Sequence, residues 1–277
     1  MDKLEKMILL EQIEELIHNH PFEHFFLYNN LLKTLNNNYE INAKWLKGDQ
    51  QSWILGFCSN NNYQIYGLNY THEMLDEVTD ELDLSLLPER LVISGNKKIW
   101  EYILSSNKFV NFTILKNRYF YEVVPETFNV YNNDTFTIRN GTYNDIDTLA
   151  RLHCDFFKEE YKGQNNKELS DMIFSCTRLI ADQEILVAEI EGTIVGYCTI
   201  MKTEFENEMI GTVFIVNEYR KKNIGKCLLS KVTSIILSRN PRTWLMTDMT
   251  NYPSNKLVSS LGYYVLSEYT SGEINKL

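Results

Sequence analysis

Residues 136–269 change repeatedly between two spacings of apolar positions. Apolar residues at helical spacing predict helices at 144–161, 167–181, 225–238 and 253–261. Runs of β-branched and aromatic residues bounded by turn residues predict strands at 136–139, 185–190, 194–202, 209–216, 243–249 and 263–269. The elements therefore follow the order β-α-α-β-β-β-α-β-α-β, which indicates a mixed α/β domain.

The first half of the chain gives nearly the same order of elements. It predicts helices at 2–19, 22–37, 71–82 and 96–105, and strands at 39–47, 52–58, 62–68, 90–94 and 109–124, so only the opening strand is missing. The sequences at 103–109 and 257–263 also resemble each other, and each closes the last helix before the last strand. The polar stretch 125–134 marks the boundary. We predict two copies of one α/β (α+β) fold, 1–130 and 134–277, each a mixed, largely antiparallel twisted sheet flanked by helices.

Composition and charge narrow the class of protein. The chain has 277 residues, 44% of them hydrophobic, which suffices for packed cores and excludes a disordered chain. The net charge of −10 argues against a nucleic-acid partner. No apolar run is long enough to cross a bilayer, and the acidic residues near the start argue against a signal peptide. The five cysteines include no CxxC pair, which argues against a disulfide framework or a zinc site, so we expect a reduced, cytoplasmic protein.

A basic cluster lies where a predicted strand turns into a predicted helix. Arg220, Lys221, Lys222, Lys226 and Lys231 fall within twelve positions, with no acidic residue between them. The turn amides and the first amides of the helix point the same way, and such a helix N-terminus binds anions. A phosphate loop of the GxxxxGK[ST] type does not fit, because Arg220 stands five positions before Gly225 and no hydroxyl residue follows Lys226.

The same segment resembles the GNAT acyltransferases. Residues 220–225 match the signature Gln/Arg-x-x-Gly-x-Gly/Ala, with Asn223 in place of the first glycine. Asparagine is the non-glycine residue that most readily takes positive φ, so the substitution is tolerable. Asn251 and the triplet Leu-Gly-Tyr at 261–263 match two further features downstream, and the resemblance covers about 136–269.

The resemblance implies acetyl-CoA as co-substrate. The backbone of Val213, Phe214 and Ile215 would hold the pantetheine arm, and the amides of 221–226 would hold the pyrophosphate. Asn251 would bind the cofactor near its thiol end. The residues assigned to the cofactor are Val213, Phe214, Ile215, Arg220, Lys221, Lys222, Asn223, Ile224, Gly225, Lys226 and Asn251.

The residues that would transfer protons have weaker sequence signals than the residues that would bind the cofactor. Val258 stands where many family members place the tyrosine that protonates the thiolate, and Tyr252 and Tyr263 are the candidates to replace it. Several members of this family work mainly by positioning their substrates, so the missing tyrosine does not exclude catalysis. The candidate base is Glu208, with Glu204, Asp248 or a water chain as alternatives.

We expect an N-acetyltransferase acting on a primary amine of a small molecule or a peptide. The alternative is a non-catalytic CoA-binding or interaction protein on a decayed fold. No metal is expected, because the cluster His18, His20 and His24 fits no zinc signature and indicates a half-exposed helix–helix junction.

Overall fold

The computed structural model describes residues 3–37, 39–59, 61–82, 84, 91–106, 110–133, 135–163, 165–203 and 207–276. The chain forms two compact units. Unit 1 comprises Met1–Phe120, Thr247–Asn251 and Val265–Leu277, and unit 2 comprises Tyr121–Met246 and Tyr252–Tyr264. Among the described residues, every helix is too short or too polar to span a lipid bilayer.

Unit 1 is built on a sheet that includes a parallel pair of strands. Its helices are α1 (Lys3–Ile17), α2 (Phe25–Asn36), α3 (His72–Glu81) and α4 (Lys97–Ser106). Its strands are β1 (Ile41–Gly48), β2 (Trp53–Ser59), β3 (Asn62–Leu68), β4 (Leu91–Asn96), β5 (Val110–Val123) and β11 (Tyr264–Lys276). The strand order is β1-β2-β3-β4-β11-β5-β10, where β10 (Thr243–Asp248) contributes only its last residues to this unit. Strands β3 and β4 are parallel, whereas the pairs β1–β2, β2–β3 and β4–β11 are antiparallel.

One core cluster of unit 1 lies between this sheet and helices α3 and α4. The helices bury one apolar face each, since their apolar residues recur every three or four positions. The buried residues include Leu75, Val78, Ile99, Trp100 and Ile103 from the helices and Ile54, Ile65, Leu91, Ile93 and Ile274 from the strands.

Unit 2 contains an antiparallel sheet of four strands in sequence order. The strands are β6 (Thr137–Asn140), β7 (Ile185–Ile190), β8 (Thr193–Lys202) and β9 (Glu208–Ile215). Its helices are α5 (Ile146–Glu160), α6 (Leu169–Ala181), α7 (Ile224–Leu237) and α8 (Tyr252–Ser260). The core includes Leu149, Met172, Cys176 and Leu179 from α5 and α6, packed with Val187, Tyr197 and Phe214 from the sheet.

The turn that enters α5 is held by a buried carboxylate. Asp145 accepts hydrogen bonds from Arg139 (2.7 and 3.0 Å) and from the amide and hydroxyl of Thr142 (2.7 and 2.8 Å). The hydrogen bonds from Arg139 are the main reason that the pKa of Asp145 falls to about 2, although burial alone would raise it. The ionised carboxylate therefore fastens β6 to the start of the helix.

These elements confirm the predicted mixed α/β fold with largely antiparallel sheets. The last strand differs from its prediction, because β11 continues past residue 269 to Lys276 and pairs with β4 from Tyr269 to Ile274. For that reason Val265–Leu277 lies in unit 1, whereas the sequence placed it in the domain 134–277. The tandem interpretation of domains 1–130 and 134–277 stays a prediction.

Candidate functional site

Strand β9 is the edge strand of the four-stranded sheet, and it carries a bulge. Cys198 pairs with Val213 and Ile200 with Ile210, so one residue of β8 faces two residues of β9. The Thr199 hydroxyl fills the gap by accepting a hydrogen bond of 2.7 Å from the Thr212 amide. Such bulges bend a strand and increase its twist, and they are common beside functional sites.

Gly211 allows this bulge to form. A Cβ atom at this position would lie 2.5 Å from the Thr199 hydroxyl oxygen, closer than any contact that real Cβ atoms make. A glycine inside a strand pattern often marks a bulge. The glycine inside the predicted strand 209–216 was therefore a sequence signal for a bulge, which the prediction did not include.

The first residues of strands β9 and β10 are in contact. The Thr243 hydroxyl donates to the Glu208 carbonyl at 3.0 Å. The Glu208 carboxylate accepts from Arg239 Nε at 2.5 Å and from Asn240 Nδ2 at 3.0 Å, which fixes this end. Among the described strands no ladder joins β9 to β10. On the side facing away from β8, the backbone of β9 therefore lacks a ladder partner among the described strands.

The turn between β9 and α7 presents a row of amides. Lys221 and Asn223 both have φ of 61°, and α7 begins immediately afterwards at Ile224. No side chain caps the helix, and the described chain gives the amides of 221–226 no backbone hydrogen-bond partner. Uncapped amides at a helix N-terminus favour an anion through hydrogen bonds and the helix dipole.

Arg220 braces this turn. Its Nε donates to the Ile215 carbonyl at 2.8 Å, and its two terminal nitrogens donate to the Glu159 carboxylate at 2.8 and 2.7 Å. Its guanidinium also lies 5.5 Å from the centre of the Phe214 ring. The guanidinium already has protein partners, and so does the Ile215 carbonyl, although the sequence assigned both residues to the cofactor.

The lysines of the turn are placed differently. Lys221 and Lys222 are exposed, and the Lys222 ammonium lies 5.0 Å from the Tyr219 ring centre. The Lys226 ammonium lies 4.8 Å from the Tyr131 ring centre. These ammonium groups add positive charge around the uncapped amides.

Gly225 lies in the first turn of α7 and faces the end of β9. A Cβ atom there would meet Ile215 at 3.4 Å and Leu257 at 3.5 Å, which is ordinary contact. A small side chain therefore fits at this position without moving the backbone.

Two of the three candidate catalytic side chains, Tyr263 and Glu208, are buried and hydrogen-bonded to protein partners, whereas the third, Tyr252, is exposed. Tyr263 is 3% exposed, its hydroxyl lies 2.7 Å from the Thr233 hydroxyl, and burial raises its pKa. Glu208 is buried, and its Oε2 accepts both hydrogen bonds described above. Tyr252, at the start of α8, is 76% exposed. Val258 is buried in α8.

The remaining candidates are Asn251, Asp248 and Glu204. Asn251 and Asp248 belong to unit 1, where Asn251 is exposed and its amide donates to the Asp248 carbonyl at 3.0 Å. Hydrogen bonds from Thr250 and Lys116 lower the pKa of Asp248 even though burial alone would raise it, which makes it a weak base. Glu204 lies outside the described residues.

The expectation for the histidine cluster of His18, His20 and His24 was wrong in one respect. We expected a half-exposed junction, but His24 is 2% exposed and immediately precedes α2. His18 is exposed, and His20 contacts Glu23 at 2.9 Å. In the part of the chain that the structure describes, no group of three or more His, Cys, Asp or Glu residues could hold a metal ion.

Comparisons with known proteins identify a matching family and similar folds. Residues 146–263 match the sequence model of the acetyltransferase (GNAT) family. A GCN5-related N-acetyltransferase from Sphaerobacter thermophilus is similar in fold, with a TM-score of 0.55, 14% identity, and coverage of 89% of this chain and 85% of that one. A GNAT-family acetyltransferase from Colwellia psychrerythraea gives a TM-score of 0.53, 13% identity, and coverage of 80% and 85%.

A further structural match extends over nearly the whole chain. A Drosophila protein of known structure gives a TM-score of 0.50 and 12% identity, and the match covers 99% of this chain and 97% of that one. No curated protein matches the chain by sequence. At these identities the structural matches establish the fold alone.

Proposed function

Because residues 146–263 carry an acetyltransferase domain of the GNAT family, we propose that this protein is an acyl-CoA-dependent N-acyltransferase. It transfers acetyl from acetyl-CoA to a primary amine of a small molecule or a peptide. The observation that carries the proposal is the uncapped N-terminus of α7, preceded by two residues with positive φ. Five free cysteines support a reducing, cytoplasmic setting.

The chain's own groups fit CoA. Its pyrophosphate is an anion, and the amides of 221–226 together with Lys221 and Lys222 supply hydrogen-bond donors and positive charge. The unpaired edge of β9 offers backbone groups to an extended arm, and Val213 and Phe214 lie on that edge. Arg220 contributes by holding the turn against β9 and α5.

Bound acetyl-CoA would supply an activated thioester carbonyl. An amide of β9 beside the bulge would stabilise negative charge on the carbonyl oxygen. One proton must leave the acceptor ammonium and one must reach the departing sulfur. Of the candidate side chains, the exposed Tyr252 keeps a hydroxyl within reach of solvent, whereas Glu208 and Tyr263 are held by protein partners.

Thermal unfolding with and without CoA tests the binding step. A ligand at 100 times its dissociation constant stabilises the folded state by about 2.7 kcal/mol, so the transition should move upward. Gly225→Glu should abolish this shift, because it places a carboxylate beside the anion site. Gly225→Ala should keep the shift, since a Cβ atom fits there.

Ser170→Glu is the matched control. Ser170 is exposed in the first turn of α6, so the substitution adds the same charge at another helix N-terminus of unit 2. It should leave the CoA shift unchanged. If wild-type protein shows no shift at millimolar CoA, or if Gly225→Glu keeps it, the proposed site is wrong.

A CoA-binding protein without transferase activity is the second candidate. It is favoured by Val258, which is buried and cannot donate a proton, and by Tyr263, whose hydroxyl is buried against Thr233. Release of free thiol from acetyl-CoA with a panel of primary amines separates the two functions. Firm CoA binding with no thiol release across the panel would favour this second candidate.

A further inference from the structure

A small cavity opens in unit 1 where the parallel strands β3 and β4 part. Their pairing runs from Asn62 with Val92 to Ile65 with Gly95 and then stops. The cavity follows directly, with a volume of about 270 Å³ including its open mouth. Crevices beyond the carboxyl ends of parallel strands are common ligand sites. We call it the β3–β4 cavity, and it is lined by His24, Tyr66, Phe120, Ser267 and Tyr269 together with the carboxylates Glu23 and Glu268.

His24 is a buried polar side chain without a partner. It is 2% exposed, and neither ring nitrogen has a hydrogen-bond partner in the described part of the chain. The hydroxyl of Ser267 is also buried without a partner. A buried polar group that makes no hydrogen bond costs about 1–3 kcal/mol, so two such groups lining one cavity point to a ligand.

The packing around His24 holds its ring in place. The imidazole lies 4.8 Å from the Trp53 ring and 6.4 Å from the Tyr66 ring, measured between ring centres. Burial, and to a smaller extent the charge of His20, lowers the pKa of His24 to about 3, so the imidazole is neutral near pH 7. A neutral imidazole has one nitrogen that accepts a hydrogen bond.

The lining favours a cation. Glu23 and Glu268 carry negative charge, and no lysine or arginine lines the cavity. Each carboxylate has a basic neighbour, since His20 contacts Glu23 at 2.9 Å and the Lys97 ammonium lies 4.0 Å from Glu268. The rings of the lining add a surface that attracts cations. A phosphate or carboxylate would meet like charge and no ammonium or guanidinium among the lining residues.

We propose that the β3–β4 cavity binds the protonated head group of a small primary amine, with the His24 imidazole accepting one of its ammonium hydrogen bonds. The enclosed part of the cavity is small, so only the head group enters and the rest of the molecule remains at the mouth. This binding does not require acyl transfer. The amine is either the acceptor of the proposed reaction or a separate ligand.

Ethylammonium chloride is the probe, with sodium chloride at equal concentration as the ionic control. We expect saturable changes in the ring ¹⁵N resonances of His24 at millimolar ethylammonium. Tetramethylammonium carries the same charge but no N–H group, so it should change them about tenfold less effectively. Absence of any change at 100 mM ethylammonium in folded protein would overturn the proposal.

His24→Phe keeps an aromatic ring and removes both unpartnered nitrogens. The variant should unfold at the same temperature or higher, because the orphaned polar atoms are gone, and should bind ethylammonium at least tenfold more weakly by calorimetry. His72→Phe is the matched control, since His72 is exposed at the start of α3, and it should bind as wild type does. Equal binding by His24→Phe and wild type would contradict the proposal.

Kinetics then separate the two sources of the amine. If the amine is the acceptor, His24→Phe raises KM for the amine and leaves KM for acetyl-CoA unchanged. If it is a separate ligand, the variant loses ethylammonium binding with both KM values unchanged. Either result supports the cavity, and neither depends on the CoA shift that tests the proposed function.

Discussion

The proposed anion site can also be tested by substituting Asn223, because the substitution does not change the charge of the site. Its backbone has φ of 61° and ψ of 9°, in the left-handed region, directly before α7. Replacing it with alanine keeps the turn uncharged but removes the residue type that tolerates this conformation. Replacing it with glycine restores full conformational freedom.

The expected magnitude follows from the backbone. A left-handed conformation costs an L-residue about 1–2 kcal/mol, and asparagine pays less than alanine, so Asn223→Ala should cost about 1 kcal/mol. If the free protein keeps the turn as it is, this cost appears as lost unfolding free energy. If the free turn relaxes, the cost appears when CoA binds, as an increase of about fivefold in Kd. For Asn223→Ala, the lost unfolding free energy and the lost CoA-binding free energy should together come to about 1 kcal/mol. For Asn223→Gly, the same sum should be only about a few tenths of a kcal/mol.

Urea unfolding and calorimetric titration with CoA measure the two parts. Asn217→Ala is the control, because Asn217 is exposed in the same turn and does not have positive φ. It should leave both quantities within about 0.5 kcal/mol of wild type. If Asn223→Ala matches wild type in both stability and CoA affinity, the left-handed residue is not what shapes the anion site.

Two further predictions concern side chains of unit 2. Tyr263→Phe should cost about 1–3 kcal/mol of unfolding free energy, because the buried Thr233 hydroxyl loses its partner. The kcat for thiol release should stay within about twofold of wild type. A large fall in kcat with intact stability would instead indicate that Tyr263 is the proton donor. The lowered pKa of Asp145 means that its ionised form stabilises the fold above the ordinary pKa of about 3.9, and this contribution is lost as pH falls toward about 2. Urea unfolding between pH 5 and 2 should therefore show a steeper loss for wild type than for Asp145→Asn, and parallel curves would refute the role assigned to the bond with Arg139.

The geometry of the turn before α7 could be predicted because it follows from neighbouring residues. A β-prone run, a short polar turn and an amphipathic helix fix where the first amides of α7 point, and Asn223 has the positive φ that its residue type allows. The positive φ of Lys221 could not be predicted, since lysine has no preference for that region. It depends on the whole turn, including the contact of Arg220 with the end of β9.

The features that the sequence did not predict depend on partners distant along the chain. The extension of β11 to Lys276 depends on pairing with β4, which lies about 180 residues earlier. The role of Thr199 depends on the register of β9 opposite it. The burial of His24 depends on Trp53 and Tyr66, and the local sequence around residues 18–24 contains neither. Local patterns predict elements and turns, whereas register and burial are set by contacts between elements.

In the proposed function, CoA binding and catalysis would rest on different kinds of group, and they could therefore be lost separately. The anion site and the edge of β9 use backbone amides, which remain when side chains change, so Asn223 can replace a glycine without removing them. Proton transfer to sulfur needs a proton donor, and the Val258 side chain cannot be one. A valine at this position is therefore expected to affect turnover and not CoA affinity. CoA binding alone would therefore not establish the acyltransferase, and thiol release is the measurement that decides between the two proposed functions.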